Sequence, residues 1–404
     1  MPNADCYRGV LSQACSWLEM ARGCLRKGGG KWRGPRLIGR GRHTSAMTLT
    51  SRFPFTISGK QKLALGLDIG SHAVKICELG ATDKGFVLQT LGSALLPPAA
   101  VEDGVLLEAE AVAEVVAGLV RHLKIKNRKV AISISGYSVI VKKINLAVMT
   151  EAELEAHIHA EAEQYIPFDI DEVYLDYQDL KSNAGSEGRT NVMLVAAKKE
   201  VVDGYLNMLQ VAGLKPVVVD VDAFALENAY EANFGLDQNV ALVDIGAAKT
   251  NINIISKGAS ILARDVVMGS HALTEQIQNR FSLSYEEAEN LKLGQIPVGS
   301  RQAGLEEIVV NTCSQWVGEV KRALDFYYSN YPEEAISSLV LSGGGAKLKG
   351  LDQYFSEETG LPASIFDPFA KMHFDRNRID PGYLRTVAPE MALATGLATR
   401  LAAW

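Results

Sequence analysis

Two turns in this 404-residue chain set an aspartate, a glycine and a hydroxyl at spacings suited to holding phosphate. Asp68-Ile69-Gly70-Ser71 follows the apolar run Leu63 to Leu67, and Asp244-Ile245-Gly246-Ala247-Ala248-Lys249-Thr250 follows Val240 to Val243. In a tight turn, successive backbone N–H groups form an anion-binding concavity. A carboxylate at its mouth suits hydrated Mg²⁺, whose preferred ligands are carboxylate and water oxygens. An Asp-Gly-Ser turn alone is ordinary hairpin chemistry. Lys75 and Lys249 lie close enough in sequence to add positive charge, although Lys249 also reads as a solvated lysine. A third stretch, Gly343-Gly344-Gly345, follows the apolar run Ser338 to Ser342. Glycines there let a ligand approach the backbone, and a helix expected from Lys347 would aim its N-terminus at that ligand.

These residues need hairpins to position them. Leu63 to Leu67 reads as a buried strand, and Ala73 to Leu79 as its partner with Lys75 and Glu78 at polar positions. Ile252, Ile254 and Ser256 alternate in the same way after the second turn. A repeated hairpin predicts two similar lobes facing each other across a cleft. In the first lobe, Phe86 to Leu95 and Val130 to Ser135 read as strands around an amphipathic helix from Glu108 to Leu123. Thr150 with Glu153 three residues on is a capping box, opening a helix that ends near Pro167. Two alternating strands follow, joined by a polar loop from Lys181 to Arg189, then a helix stopped by Gly213 before Pro216. This pattern predicts a compact α/β insertion over 150–199. Asp222 opens the next helix and reads as its N-cap.

Three strand-to-turn signals in this order resemble the nucleotide-binding superfamily of actin and hexokinase, whose two phosphate motifs and adenosine motif follow the same sequence. The resemblance implies an α/β, actin-like two-lobed fold of duplicated RNase-H-like domains, binding ATP with Mg²⁺. It places Asp68, Gly70, Ser71 and Lys75 at the first phosphate loop, and Asp244, Gly246, Ala247, Lys249 and Thr250 at the second, with Asp68 and Asp244 beside the metal. Glu289 and Lys292 in "AENLKLG" resemble the pair that reaches the nucleotide sugar, although three-apart spacing also describes a surface ion pair. Arg322 is placed near the base and Gly343, Gly344 and Gly345 at adenosine. Asp222 occupies the neighbourhood of the residue that orients attacking water. The insertion, with "EAEQYIPFDIDEVYLDYQ" and "FDPFAKM", resembles the PilM-type proteins of type IV pilus assembly, and more distantly the division protein FtsA.

The domain reading is a basic extension over 1–59 and a first lobe over 60–239 that contains the insertion. A second lobe over 240–388 carries a small nucleotide-binding subdomain over 270–335, and a helix over 389–404 returns to the first lobe as a hinge. Residues 1–46 hold nine Lys/Arg against Asp5 and Glu19, without a periodic apolar face, and read as disordered. Five cysteines make no paired framework; Cys77 and Cys313 sit in apolar contexts and read as buried thiols. A net charge of −6 and a pI near 5.8 give no pull toward nucleic acid. No apolar run is long enough to span a membrane.

The PilM-type resemblance implies a cytoplasmic adaptor, peripheral to the inner membrane through its partner. That partner is the N-terminal cytoplasmic tail of a PilN-like inner-membrane protein, with the pilus motor ATPases as further partners. Ala247 and Ala248 replace glycines typical of strong ATPases, so at most slow turnover is expected. The alternatives are an FtsA-like filament protein and a small-molecule kinase of the same superfamily. The first would carry a C-terminal membrane helix, and the second needs a general base beside the phosphoryl acceptor.

Overall fold

The computed structural model describes residues 63–83, 85–180, 188–235 and 237–402. The extension read over 1–59 and most of the loop from Lys181 to Arg189 lie outside the described residues. In chain order, β1 (Leu63–Ile69), β2 (Ala73–Thr82) and β3 (Gly85–Leu95) form a meander. The short strands β4 (Val101–Glu102) and β5 (Val105–Leu106) lead to α1 (Ala109–His122) and β6 (Lys129–Ile134). Then come β7 (Val139–Ala147), α2 (Glu151–Glu161), β8 (Val173–Asp179), β9 (Arg189–Lys198), α3 (Lys199–Val211), β10 (Lys215–Val221) and α4 (Asp222–Phe234). The second half runs β11 (Val240–Ile245), β12 (Thr250–Ser256), β13 (Ala259–Val266), α5 (His271–Phe281), α6 (Tyr285–Lys292) and α7 (Gln302–Asn330). It closes with β14 (Ser338–Ser342), α8 (Leu351–Thr359), β15 (Ala363–Ile365), β16 (His373–Phe374), α9 (Pro381–Val387) and α10 (Ala392–Ala402).

The two halves repeat one topology. The first sheet has the order β10-β6-β1-β2-β3-β16 and the second β13-β12-β11-β14-β15. In both, the leading strand pairs antiparallel with its hairpin partner and parallel with a later strand. Between the sheets lie α4 and α10, packed on Ala64, Ala131 and Val218 of one sheet and Val240, Leu242 and Val340 of the other. Helices α1 and α3 cover the first sheet's outer face, and α5 to α8 the second's. With both faces buried, the leading strands are nearly continuous apolar runs.

Strand parity then fixes where the aspartates point. Leu65, Leu67 and Ile69 belong to the outer core of the first sheet, and Ala241, Val243 and Ile245 to that of the second. Side chains alternate along a strand, so Asp68 and Asp244 fall on the inner faces, turned toward the middle of the molecule. The middle layer is thin because glycines line it. A Cβ on Gly66 would sit 2.0 Å from the Ala394 carbonyl oxygen, and one on Gly396 1.7 Å from that of Ala225.

The insertion is an antiparallel sheet of order β7-β9-β8. Its first strand begins at Val139, ahead of the start at 150 read from the sequence. Val192, Leu194 and Ala196 face α2, whereas Met193 and Val195 rest on Val221, Ala223 and Phe224 at the head of α4. The capping box forms, with Thr150 N–H donating to Glu153 at 2.8 Å. Cys77 and Cys313 are buried free thiols, each pushed up to about 12 by burial.

Candidate functional site

At the first turn, β1 continues to Ile69, and Gly70 N–H donates to the Ala73 carbonyl at 3.2 Å. Ser71 lies in this turn, while Asp68 and Lys75 face each other in register across the hairpin and form an ion pair at 2.7 Å. Burial pushes the Asp68 carboxyl up, and the Lys75 ammonium pulls it partly back. At the second hairpin, Ser342 Oγ donates to Asp244 Oδ1 at 2.8 Å. Burial drives Asp244 up to about 6, and the charge on Asp68 adds to the rise. Asp244 lies near enough to feel both Asp68, which raises it, and Lys75, which lowers it, and two carboxylates at the mouths of facing hairpins suit a hydrated divalent cation.

Lys249 is neither solvated nor idle. Its ammonium lies 3.0 Å from Asp222 Oδ2 and 3.5 Å from Asp265 Oδ2, and it also contacts Ser135. Ser135 Oγ donates to Asp222 at 2.6 Å. Burial would raise the Asp222 carboxyl, but Lys249 and the serine hydroxyl outweigh it and hold it below the usual carboxylate range. The expected N-cap role for Asp222 is overturned: Val221 is the cap residue, and the Asp222 side chain turns into the cleft. A carboxylate held this low by an ammonium is a poor proton acceptor.

The second loop is braced from behind. Ser270 N–H donates to the Gly246 carbonyl and His271 N–H to that of Ala247, both at 2.9 Å, and a Cβ on Gly269 would meet the Ala247 oxygen at 2.0 Å. Thr250, expected to touch phosphate or metal-bound water, instead donates its hydroxyl to the Met268 carbonyl at 2.7 Å and is only 2% exposed.

Glu289, Lys292 and Thr274 form one cluster, with the buried Lys292 donating to Thr274 Oγ1 at 2.9 Å and pairing with Glu289. Burial lowers the Lys292 pKa, so this is no solvated surface pair. His72, which sequence reasoning passed over, reaches the cluster from the other lobe. Its Nδ1 lies 3.5 Å from the Tyr285 hydroxyl, and its ring centroid 5.9 Å from that of Tyr285. The signal available was its place directly after Ser71.

The glycine triplet has two tasks. Gly343 has φ +86°, and a Cβ there would sit 2.4 Å from the Ile245 carbonyl oxygen; one on Gly345 would sit 2.4 Å from Ile245 Cγ2. Those two glycines let the loop lie on the end of β11, while Gly344 faces open space. The helix expected from Lys347 is not there: Gly344–Lys347 is a 3-10 turn, and α8 starts at Leu351 after Gly350 in the left-handed region. Lys347 pairs with Glu390 at 3.0 Å instead. Arg322 is held apart from this group. It pairs with Glu319, which also meets Arg264 of β13 at 3.5 Å, and Phe326 beside it is 59% exposed. Among the described residues no hydrogen bond or ion pair joins Arg322 to Glu289, Lys292 or the triplet.

Behind Lys249 a cavity of about 170 Å³ opens between the lobes and the insertion. Ser135, Gly136 and Tyr137 of the first lobe, Val139 to Val141 of β7, and Ala263 to Asp265 of β13 line it.

Matched hairpins that present aspartates from two sheets of one strand order, over crossed helices, define a two-lobed actin-like fold. EutJ, the ethanolamine utilization protein from Carboxydothermus hydrogenoformans, shares this fold with a TM-score of 0.51 at 17% identity, over 84% of this chain and 90% of that one. A chain of the structure described as the PilM-PilN type IV pilus biogenesis complex is nearer, with a TM-score of 0.74 and 30% identity. That match covers 84% of this chain and 98% of the other. The family profile described as type IV pilus assembly protein PilM matches residues 66–402. The chain belongs to the PilM family of type IV pilus assembly proteins.

Proposed function

We propose that this chain is an ATP-binding adaptor of the type IV pilus assembly platform. It holds the N-terminal cytoplasmic tail of a PilN-like inner-membrane protein and lies on the cytoplasmic side of that membrane through this partner. The observation that carries the reading is the match over nearly the full length of a chain solved in a PilM-PilN complex. Among the described residues no helix is long and apolar enough to cross a membrane.

Asp68 and Asp244 would hold Mg²⁺ through its water shell, the two loops the phosphates, Glu289 and Lys292 the sugar, and Gly344 the base. The metal would supply neutralising charge for the phosphates. The pairing of Asp222 with Lys249 supports binding with slow turnover and counts against the kinase alternative, which needs a free base. The tail occupies the groove beside the insertion, next to the cavity behind Lys249 that both lobes line.

The test pairs steady-state phosphate release with fluorescence binding of a peptide from a PilN-like N-terminal tail. Saturable tail binding with phosphate release far below one per second supports the adaptor. Failure to bind the tail, with phosphorylation of a soluble metabolite, would establish the kinase reading instead.

A further inference from the structure

Lys249 belongs to two places at once. Its carbonyl accepts Gly246 N–H at 2.9 Å and closes the second loop, while its side chain stands in the wall of the cavity beneath the insertion. Its ammonium is shared between Asp222 on α4 and Asp265 on β13. Asp265 in turn accepts the backbone N–H of Gly136 at 2.6 Å and the side-chain N–H of Asn251 at 2.8 Å. Gly136 is the junction between β6 and β7, the root of the insertion, with φ +90° and no room for a Cβ beside the Asp103 carbonyl oxygen. A continuous polar chain thus runs from the loop through Lys249 and Asp265 to the insertion.

The insertion also meets the second lobe where Val139 and Val141 of β7 pack near Ala263 of β13, and at Lys143. Lys143 of β7 donates to the Tyr331 hydroxyl at 3.3 Å and lies over that ring. Its inner face rests on the first turn of α4, the turn that begins with Asp222. A change in the Lys249 pairing therefore acts on both supports of the insertion, its root at Gly136 and its seat on α4.

We propose that Lys249 is a switch residue that couples phosphoryl occupancy of the second loop to the width of the groove beside the insertion. A phosphate-bearing ligand draws the ammonium away from Asp265 and Asp222. Coulomb attraction grows with charge, and a polyphosphate brings more negative charge than either carboxylate alone. Once stripped of their shared cation, Asp222 and Asp265 repel each other, Gly136 loses its anchored acceptor, and the insertion moves off β13. The coupling is reciprocal, so an occupied groove strengthens phosphate binding by the same factor. This inference rests on the nucleotide-binding reading above and adds its route of control.

The experiment is hydrogen exchange on the full chain with and without saturating ATP, followed by mass spectrometry of the peptide covering 135–141. In the wild type, ATP should speed exchange there by about tenfold, within the usual range of coupling between sites. Lys249→Arg should keep the response, and Lys249→Gln should lose it at saturating ATP. Asp265→Ala removes the acceptor of Gly136 while leaving the loop intact, so its exchange should be fast with or without ATP. Slow exchange in Asp265→Ala, or a Lys249→Gln response equal to wild type, overturns the relay. ATP that raises the melting temperature but leaves 135–141 unchanged overturns the relay and leaves the nucleotide site standing. ATP that alters neither overturns both.

Discussion

At the scale of single residues, the two aspartates of the cleft titrate in opposite senses. Asp244 has a folded pKa of about 6, above its ordinary value of 3.8, so between those values the folded chain binds more protons than the unfolded one. The stability it contributes is therefore present at low pH and lost as pH rises through about 6. Asp244→Asn should raise the melting temperature of the ligand-free chain at pH 7.5 by about 5 °C and leave it nearly unchanged near pH 4. The same substitution should weaken Mg-ATP binding, measured by calorimetry, because it removes one of the two carboxylates proposed to hold the cation. A gain in stability without loss of affinity would count against the cation role. Asp222 behaves the other way, since its lowered carboxyl contributes stability above its ordinary pKa that is lost on acidification. Asp222→Asn breaks a buried pair and should cost about 3 kcal/mol at pH 7 in urea unfolding. Slow phosphate release should stay slow in this variant. Asp68 and Asp244 were legible as members of a repeated Asp-x-Gly turn after an apolar run, but that each sits within its strand on an inner face was not, because a nearly continuous apolar run shows no alternation. The role of Asp222 was not legible, because a helix-opening aspartate is locally complete as a cap. The partner that overrides that reading, Ser135, lies 87 residues away.

At the scale of elements, the crossing of α4 and α10 against β1 rests on missing side chains. Gly396→Ala would drive a methyl into the Ala225 carbonyl at 1.7 Å, and the neighbouring atoms are helix backbone that yields little. Equilibrium unfolding should show a loss of about 3 kcal/mol or more. Gly118→Ala in α1 is the control, because a Cβ there meets nothing within 4 Å, and it should gain about 0.5–1 kcal/mol from helix propensity. Equal effects at the two sites would show that crowding is not what the glycine serves. The small residues Ala392, Ala394 and Gly396 carried this close crossing in the sequence itself. Other elements were hidden for physical reasons. Strand β7 contains Lys142 and Lys143 at its centre, which obscures its alternation, and Lys143 is spent on Tyr331 of the other lobe. The 29-residue α7 turns Val320, Ala323, Leu324 and Tyr327 inward, which leaves Arg322 and Phe326 on its outer flank. Only the packing of that helix decides between two charged faces that look alike in sequence.

At the scale of the whole molecule, the proposed adaptor role makes the insertion the part through which a nucleotide would inform a partner. The insertion contacts the second lobe through Gly136, Lys143 and the packing of β7 near Ala263, and it rests on α4 between the sheets, so on the proposed relay the lobe angle and the groove would change together. A ligand shifts such an equilibrium only by its differential affinity for the two arrangements. If ATP favours the arrangement that accepts the tail, then the tail must favour ATP by the same factor, whatever the route between them. The expected factor is about 10, which two calorimetric titrations can read: tail peptide into chain with and without ATP, and ATP into chain with and without tail. Hydrolysis need not enter, because the cycle closes on binding alone. Matching factors above unity, with phosphate release unchanged by the tail, establish a coupled two-ligand adaptor. A tail affinity indifferent to ATP would mean that the cleft and the groove are independent, and that the nucleotide serves stability alone. Turnover of several per second, lost together with tail binding in Asp222→Ala, would instead make the protein a hydrolysis-driven machine, a role for which a carboxylate held by Lys249 is badly placed.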